Sequence, residues 1–175
     1  ACMIDAIHKK NKKLYKNLKV NIINEYLNIK INNNFLINKA SINSKDIKKN
    51  NIFFGIKGKN IDGNKFADEA LKKKASICIL EKNYSKKNPR KIFVKDTLKT
   101  FSNLSCIIRK SLGTPIVAIT GSAGKTSLKE LIGRSLNTLI PTSYSKKSFN
   151  NQYGVPLSLF NICLLYTSDA ADEFM

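Results

Sequence analysis

Apolar positions in this chain switch repeatedly between helical and extended spacing, and the switching sets the architecture. From Asn21 onward, Ile22, Ile23, Tyr26 and Leu27 return at helical intervals until Asn32, Asn33 and Asn34 break the run. Asn51-Ile-Phe-Phe-Gly-Ile56 reads as a strand, Phe66, Ala67, Ala70 and Leu71 as one face of a short helix, and Ala75-Ser-Ile-Cys-Ile-Leu80 as a second strand. Ile92-Phe-Val94 is a third. Asp96 can cap a helix whose apolar face is Leu98, Phe101, Leu104, Ile108 and Leu112, and Gly113 followed by Pro115 stops it. A domain boundary therefore falls near Thr114. Pro115-Ile-Val-Ala-Ile119 is an unbroken apolar run, the pattern of a parallel strand covered on both faces. Beyond the loop at 120–126, Leu128, Leu131, Ile132, Leu136 and Leu139 recur at spacings of three and four and predict an amphipathic helix. Alternating strands and helices imply an α/β fold in two parts, residues 21–113 and 114–163.

The two ends fit neither part. Residues 1–20 are lysine-rich and weakly patterned, and are expected to form a basic leader outside the fold. Residues 164–175 contain Asp169, Asp172 and Glu173 but no lysine. They read as a non-native tail resembling translated linker; an ordinary acidic tail is the plainer alternative.

Composition then removes several classes. The chain has 175 residues, 42% of them hydrophobic, enough for a globular core. A formal charge of +19 suggests a polyanionic partner. The excess, however, is nearly all lysine, with arginine only at Arg90, Arg109 and Arg134, and it accompanies stretches rich in Asn and Ile. An AT-rich coding bias explains that trio, so nucleic acid is not expected as a partner. No apolar run approaches the roughly 18 residues of a membrane span, and no apolar segment follows the early lysines as in a secretory signal. A cytoplasmic location is the expectation. Cys2, Cys78, Cys106 and Cys163 are widely spaced and the only histidine is His8, so zinc spacing is absent. Cys78 and Cys106 sit in apolar sequence and are expected to be buried thiols.

Thr120-Gly-Ser-Ala-Gly-Lys-Thr-Ser127 holds the sharpest chemistry. Gly121 and Gly124 allow backbone shapes in which successive N–H groups converge on phosphate oxygens, and the start of the following helix adds positive potential. Lys125 would reach the β and γ phosphates of ATP, and the Thr126 hydroxyl would be a Mg2+ ligand. The nucleotide set is thus Gly121, Ser122, Ala123, Gly124, Lys125, Thr126 and Ser127, with Lys125 and Thr126 as the catalytic pair. The long form G-x-x-x-x-G-K-[ST] is not met, because Ile119 occupies its first position. The short form G-x-x-G-K-T arises by chance in roughly one chain of this length in a hundred. A glycine turn with a solvated lysine is the plainer reading, and the strand-loop-helix context weighs against it.

This loop resembles the ATP loop of the Mur ligases and of their relatives, the folylpolyglutamate synthases. Three further segments are similar to that family. Ser41-Ile-Asn-Ser-Lys-Asp46 resembles the segment that meets the uridine end of the substrate, and Ile52 to Gly63 followed by Phe66 resembles the next strand and loop of the same pocket. Ser148-Phe-Asn-Asn-Gln-Tyr-Gly-Val-Pro-Leu157 resembles the N-N-x-x-G-V-P segment of the branch that joins D-alanyl-D-alanine to UDP-N-acetylmuramoyl tripeptide. The resemblance covers about residues 22–162. Asn43-Ser44-Lys45 stands where the family usually has Asp-Ser-Arg, so a point charge replaces a planar, bidentate group. Asn50-Asn51 stands where Gly-Asp is usual.

The resemblance implies a small amino-terminal UDP-binding α/β domain, followed by the start of a P-loop-type parallel-sheet ATPase domain. Ile42, Ser44, Lys59, Asn60 and Ile61 would line the UDP site, with Asn150 and Asn151 reaching the substrate from the second part. Without the resemblance, Ser44 reads as a turn hydroxyl bonding its own backbone, and the two asparagines as solvated loop. The implied reaction is ATP-dependent amide formation through an acyl phosphate. Its partners would be UDP-N-acetylmuramoyl tripeptide and D-alanyl-D-alanine, with the chain acting as a monomer. The family's remaining acidic metal ligand and its third domain would follow Ile162, so the chain is expected to be an inactive fragment on its own. Helix residues Leu157, Leu159 and Ile162 would then lack partners. Three rivals stay open: the Mur ligase that adds the third amino acid, another P-loop NTPase, and a basic nucleic-acid-binding module. The segment around Asn150 and Gly154 separates the first two from the main reading, and salt-steep DNA binding would mark the third.

Overall fold

A computed structural model of the chain describes residues 18–31, 35–84, 88–112, 116–140, 142, 144 and 151–161. Its centre is a parallel sheet of four strands in sequence order: β1 (Ala40–Ser41), β2 (Ile52–Gly55), β3 (Ile77–Leu80) and β4 (Lys91–Phe93). Among the described residues five α-helices accompany it: α1 over residues 18–27, α2 (Ala67–Lys72), α3 (Thr97–Leu112), α4 (Lys125–Asn137) and α5 (Gly154–Asn161).

Every residue of β2 and β3 is buried, which is what their unbroken apolar sequence requires of parallel strands covered on both sides. In register, Ile52 faces Ile77 and Phe54 faces Ile79, and these side chains enter a core with Val20 and Ile23 of α1 and Phe101, Leu104 and Ile108 of α3. Phe53 and Cys78 point the other way and join Leu80, Ala67, Ala70 and Leu71 beneath α2. One strand therefore supplies two cores by simple alternation. Asp96 caps α3 as expected, its carboxylate accepting the Lys99 N–H at 2.8 Å. Across the other face Lys91, whose side chain is fully buried, reaches Asp68 at 2.6 Å and ties β4 to α2.

Helix α5 departs from the two-part division. It packs on α3 and β1, with Phe160 fully buried and its ring centroid 5.9 Å from that of Phe54 and 6.2 Å from that of Phe101. The Lys19 ammonium lies 4.7 Å from the Phe160 ring centroid. Asn161 behaves like a peptide unit: its Oδ1 accepts from Ala40 N–H at 2.7 Å, and its Nδ2 donates to Ala40 C=O at 3.2 Å. Residues 154–161 thus complete the first layer. Leu157 packs against the same core, correcting the expectation that it lacks a partner, and Leu159 is half-buried; Ile162 lies outside the described residues.

Other expectations are corrected too. The helix expected from Asn21 already includes residues 18–20, and Lys19 and Val20 are buried, because Val20 completes the apolar stripe of Ile23 and Leu27. The leader reading therefore fails for its last residues, while residues 1–17, the break at 32–34, the stop at 113–115 and the tail at 164–175 lie outside the described residues. Residues 116–119 form no strand and Val117 is 68% exposed. A parallel strand needs neighbours to bond and helices over both faces, and no described residues pair with this run. Helix α4 forms, but only Gly133 within it is buried and Leu131 is 64% exposed, so its apolar stripe lies open. Cys106 is exposed on α3 rather than buried. Among the described residues no helix is long and apolar enough to cross a membrane.

If α5 belongs to this core, Phe160→Ala should cost about 3–5 kcal/mol, the usual loss for truncating a fully buried aromatic ring. Urea unfolding followed by far-UV dichroism measures it; a loss below about 1 kcal/mol would show that α5 does not hold the sheet.

Candidate functional site

All four strands run the same way, so their carboxyl ends share one edge, where the following turns emerge side by side. The turn after β1 is strongly determined. Asn43 accepts the Lys45 N–H on its Oδ1 at 3.0 Å and donates from Nδ2 to Asp46 at 2.9 Å. The Ser41 hydroxyl accepts the Asn43 N–H at 3.1 Å and donates to its carbonyl at 2.9 Å. Ser41, not Ser44, is therefore the serine that bonds the local backbone. Ser44 opens a 3-10 turn (Ser44–Asp46), is only 5% exposed, and donates its hydroxyl proton to Glu69 Oε2 at 2.9 Å. Ile42 is half-buried against the α1/α3 core.

The turn after β2 lies next to it. Lys57 and Asp62 pair as an antiparallel bridge, and Gly58 N–H donates to Ile61 C=O at 2.8 Å, which puts Lys59 and Asn60 at the tip of a tight loop. Lys59, Asn60 and Ile61 are all exposed. The root of the loop is held from below. Asp62 accepts the Asn64 N–H at 3.0 Å, its Nδ2 at 2.6 Å and the Tyr84 hydroxyl at 2.8 Å. Buried Asn64 in turn accepts the Glu81 N–H at 2.8 Å and the Lys82 N–H at 3.3 Å, joining the loop to the end of β3. A Cβ on Gly63 would lie 2.6 Å from the Ile56 carbonyl oxygen, so no larger residue fits without moving the loop. Glu81 then caps α3 by accepting the Thr97 N–H at 2.9 Å.

Charge follows these bonds. Burial pushes Asp62 up, but the bonds from Asn64 and Tyr84, with Lys57 nearby, hold it below the ordinary carboxylate value. The Ser44 hydroxyl, and after it Lys73, holds Glu69 below its ordinary value. Tyr84 is raised because its proton is shared with Asp62. Burial lifts the Cys78 thiol to about 12, so it stays protonated and inert.

At the phosphate loop, Gly121 has φ 151° and Gly124 φ 72°, both in the region that favours glycine. Space around Gly124 is open, so its constraint is the dihedral alone. The Lys125 ammonium folds back over the loop and donates to the carbonyls of Gly121 and, at 3.2 Å, Ser122. Ser122, Ala123, Thr126 and Ser127 are exposed. Asn151 caps α5, its Oδ1 accepting from Tyr153 N–H at 3.1 Å and Gly154 N–H at 2.8 Å, and it borders a shallow groove with Leu98, Ser102, Val155 and Leu159. That groove lies on the α3 face of the sheet, whereas Ser44 and Glu69 lie on the α2 face. The Ser44 turn and the 57–62 loop thus follow neighbouring parallel strands, whereas Asn151 lies on the α3 side of the sheet; Asn150 lies outside the described residues.

Residues 36–111 match the Mur ligase family, catalytic domain. The chain carries a Mur ligase family domain. It is 34% identical over 127 residues to the UDP-N-acetylmuramoyl-tripeptide–D-alanyl-D-alanine ligase of Buchnera aphidicola subsp. Baizongia pistaciae, covering 72% of this chain and 28% of that one. Among solved structures it is similar to the MurF ligase of Thermotoga maritima in complex with ADP, at 32% identity and TM-score 0.58 over 70% of this chain and 29% of that one. The MurF of Acinetobacter baumannii, at 24% identity, shares the fold, with TM-score 0.68 over 81% of this chain and 32% of that one. The chain spans about 28% of the length of the curated relative it matches. The Mur ligase match takes in both strand-end turns and stops within α3, before the phosphate loop.

Sequence reasoning missed Glu69, Asn64 and Tyr84. Asp62-Gly-Asn64 is a turn signature that pointed to the second of these, whereas nothing in the local pattern marks a helical Glu as a partner of Ser44. The depressed carboxylates have a sign-defined consequence. Stability contributed by Asp62 and Glu69 is complete above their ordinary pKa values of about 4, and is lost as pH falls through their lower folded values. Thermal unfolding from pH 6 to pH 2 should therefore show a shallower acid limb for the Asp62→Asn, Glu69→Gln double variant. Equal acid slopes would mean these bonds add nothing.

Proposed function

We propose that this chain provides the nucleotide-sugar layer and the phosphate loop of an ATP-dependent Mur ligase that joins D-alanyl-D-alanine to UDP-N-acetylmuramoyl tripeptide. One observation carries the reading: a chain similar to that ligase holds two built turns on neighbouring strand ends and a separate loop with two positive-φ glycines around a lysine. Ile42, Ser44, Lys59, Asn60 and Ile61 would receive the uridine diphosphate end, and Asn150 and Asn151 would approach the sugar-peptide portion.

Gly121 to Ser127 would cradle the phosphates of ATP with backbone N–H groups. Lys125 now spends its protons on neutral carbonyls, and would exchange them for phosphate oxygens, whose full negative charge attracts the ammonium more strongly than a carbonyl dipole does. For magnesium, the exposed Thr126 hydroxyl is a hard oxygen donor, and no cluster of His, Cys, Asp or Glu occurs among the described residues. That suits a cation held mainly by substrate phosphates and water, with Thr126 as one ligand. When bound, the ion offsets charge on the transferring phosphoryl group. In the reaction, a carboxylate oxygen of the tripeptide attacks the γ phosphorus and the bond to ADP breaks. The D-alanyl-D-alanine amine then adds to the acyl carbon, phosphate leaves, and the amine loses a proton. Lys125 stabilises the charge that develops in the first step.

Replacing Lys125 by Ala should weaken MgATP binding about 10- to 100-fold, as expected for lost bonds from a charged donor. Isothermal titration of both proteins decides, and equal affinities would remove the ATP assignment. On adding UDP, amide shifts should gather at residues 42–46 and 57–62. A response confined to 120–127 would instead remove the uridine site.

A further inference from the structure

We propose that Glu69 sets the polarity of the Ser44 hydroxyl, so that Ser44 meets the nucleobase only as a hydrogen-bond acceptor and selects a base bearing an imide N–H. The proposal rests on Ser44 being a uridine contact. A serine hydroxyl ordinarily rotates, donating its one proton or accepting on two lone pairs as its surroundings suit. Here that freedom is removed. The proton is committed to Glu69 Oε2 at 2.9 Å, and an ionised carboxylate is a far better acceptor than a neutral ring nitrogen or carbonyl.

Glu69 is itself braced. Its other oxygen pairs with Lys73 Nζ at 3.1 Å, and the same ammonium donates to Lys45 C=O at 3.4 Å, closing a ring from α2 back to the Ser44 turn. The carboxylate stays ionised through the neutral range because the Ser44 hydroxyl and Lys73 both favour its charged form. Asn43 independently holds the turn through Lys45 N–H and Asp46, so the backbone that carries Ser44 keeps its place beside Glu69. What Ser44 offers a ligand is therefore a lone pair. Uracil carries an N–H at ring position three, whereas cytosine carries an unprotonated nitrogen there. Ser44 and cytosine N3 would face each other as two acceptors, with neither supplying a proton, and a site built this way rejects the mismatched partner. Glu69 would act through Ser44, as a positioning residue.

Titration calorimetry of the chain with UDP, CDP and 3-methyl-UDP tests this. The wild-type chain should bind UDP about tenfold or more tightly than either analogue, the equivalent of one hydrogen bond and a lost partner. In Glu69→Ala the freed hydroxyl can also donate, so the UDP-to-CDP ratio should fall severalfold toward one. Lys73→Ala removes a brace without touching Ser44 and should leave the ratio near wild type. An equal loss of UDP and CDP affinity in Glu69→Ala would give Glu69 a merely structural role and overturn the proposal. If that variant does not fold, the wild-type chain alone decides, since equal affinity for UDP and 3-methyl-UDP overturns it as well. Failure to bind UDP at all would remove the uridine reading and the proposal together, whereas UDP binding without discrimination removes only the proposal.

Discussion

Everything described here depends on β2 being covered on both faces. Phe53 and Phe54 are adjacent, fully buried and pointed in opposite directions, so α1, α3 and α5 are committed to one side of the sheet and α2 to the other. Burying one such side chain is worth about 1.5–3 kcal/mol, and the strand supplies that to two layers at once. With both faces occupied, the strand ends remain free to present polar groups. The Ser44 turn and the 57–62 loop lie where chemistry is possible because packing has claimed every other part of β1 and β2.

Carboxylates are scarce in this chain, with 12 Asp and Glu against 31 Lys and Arg, and at the strand ends they serve as fasteners. Asp62 gathers three donors, Glu81 holds the start of α3, and Glu69 joins α2 to the first turn. Each exposed link adds little on its own, because water screens it. Their effect lies in number and geometry: the loops are fixed from beneath while Lys59, Asn60 and Ile61 stay open above. A binding surface whose roots are already ordered loses less entropy when a ligand arrives.

The sequence made the sheet legible because β2 and β3 are unbroken apolar runs, and made α3 legible because Asp96 and the Phe101, Leu104, Ile108 spacing agree. Local pattern failed where long-range contacts decide. Strand β1 is two residues long and leaves no periodic trace, Val20 sits in a lysine-rich stretch, and Phe160 follows the phosphate loop yet fills the first core. Ile116 to Ile119 shows the reverse error, since its apolar run is a strand only if other strands flank it. At the candidate site, the glycines and Lys125 were readable because their chemistry is local. Glu69 was not, because 25 residues separate it from Ser44.

The link between Ala40 and Asn161 spans 121 residues, and so long a separation predicts that it closes late in folding. Two amide bonds of about 1 kcal/mol each cannot alone offset the closure of so long a loop. They become favourable once α3 has docked and shortened the loop left to close, and once Phe160 has an aromatic pocket waiting for it. The sheet therefore forms with an unfinished flank, and the backbone edge of β1 stays bare until the chain has been made and folded past the phosphate loop. A ribosome must synthesise through Asn161 before this first layer can seal, so the edge of β1 is expected to stay open to unwanted strand pairing in the interval.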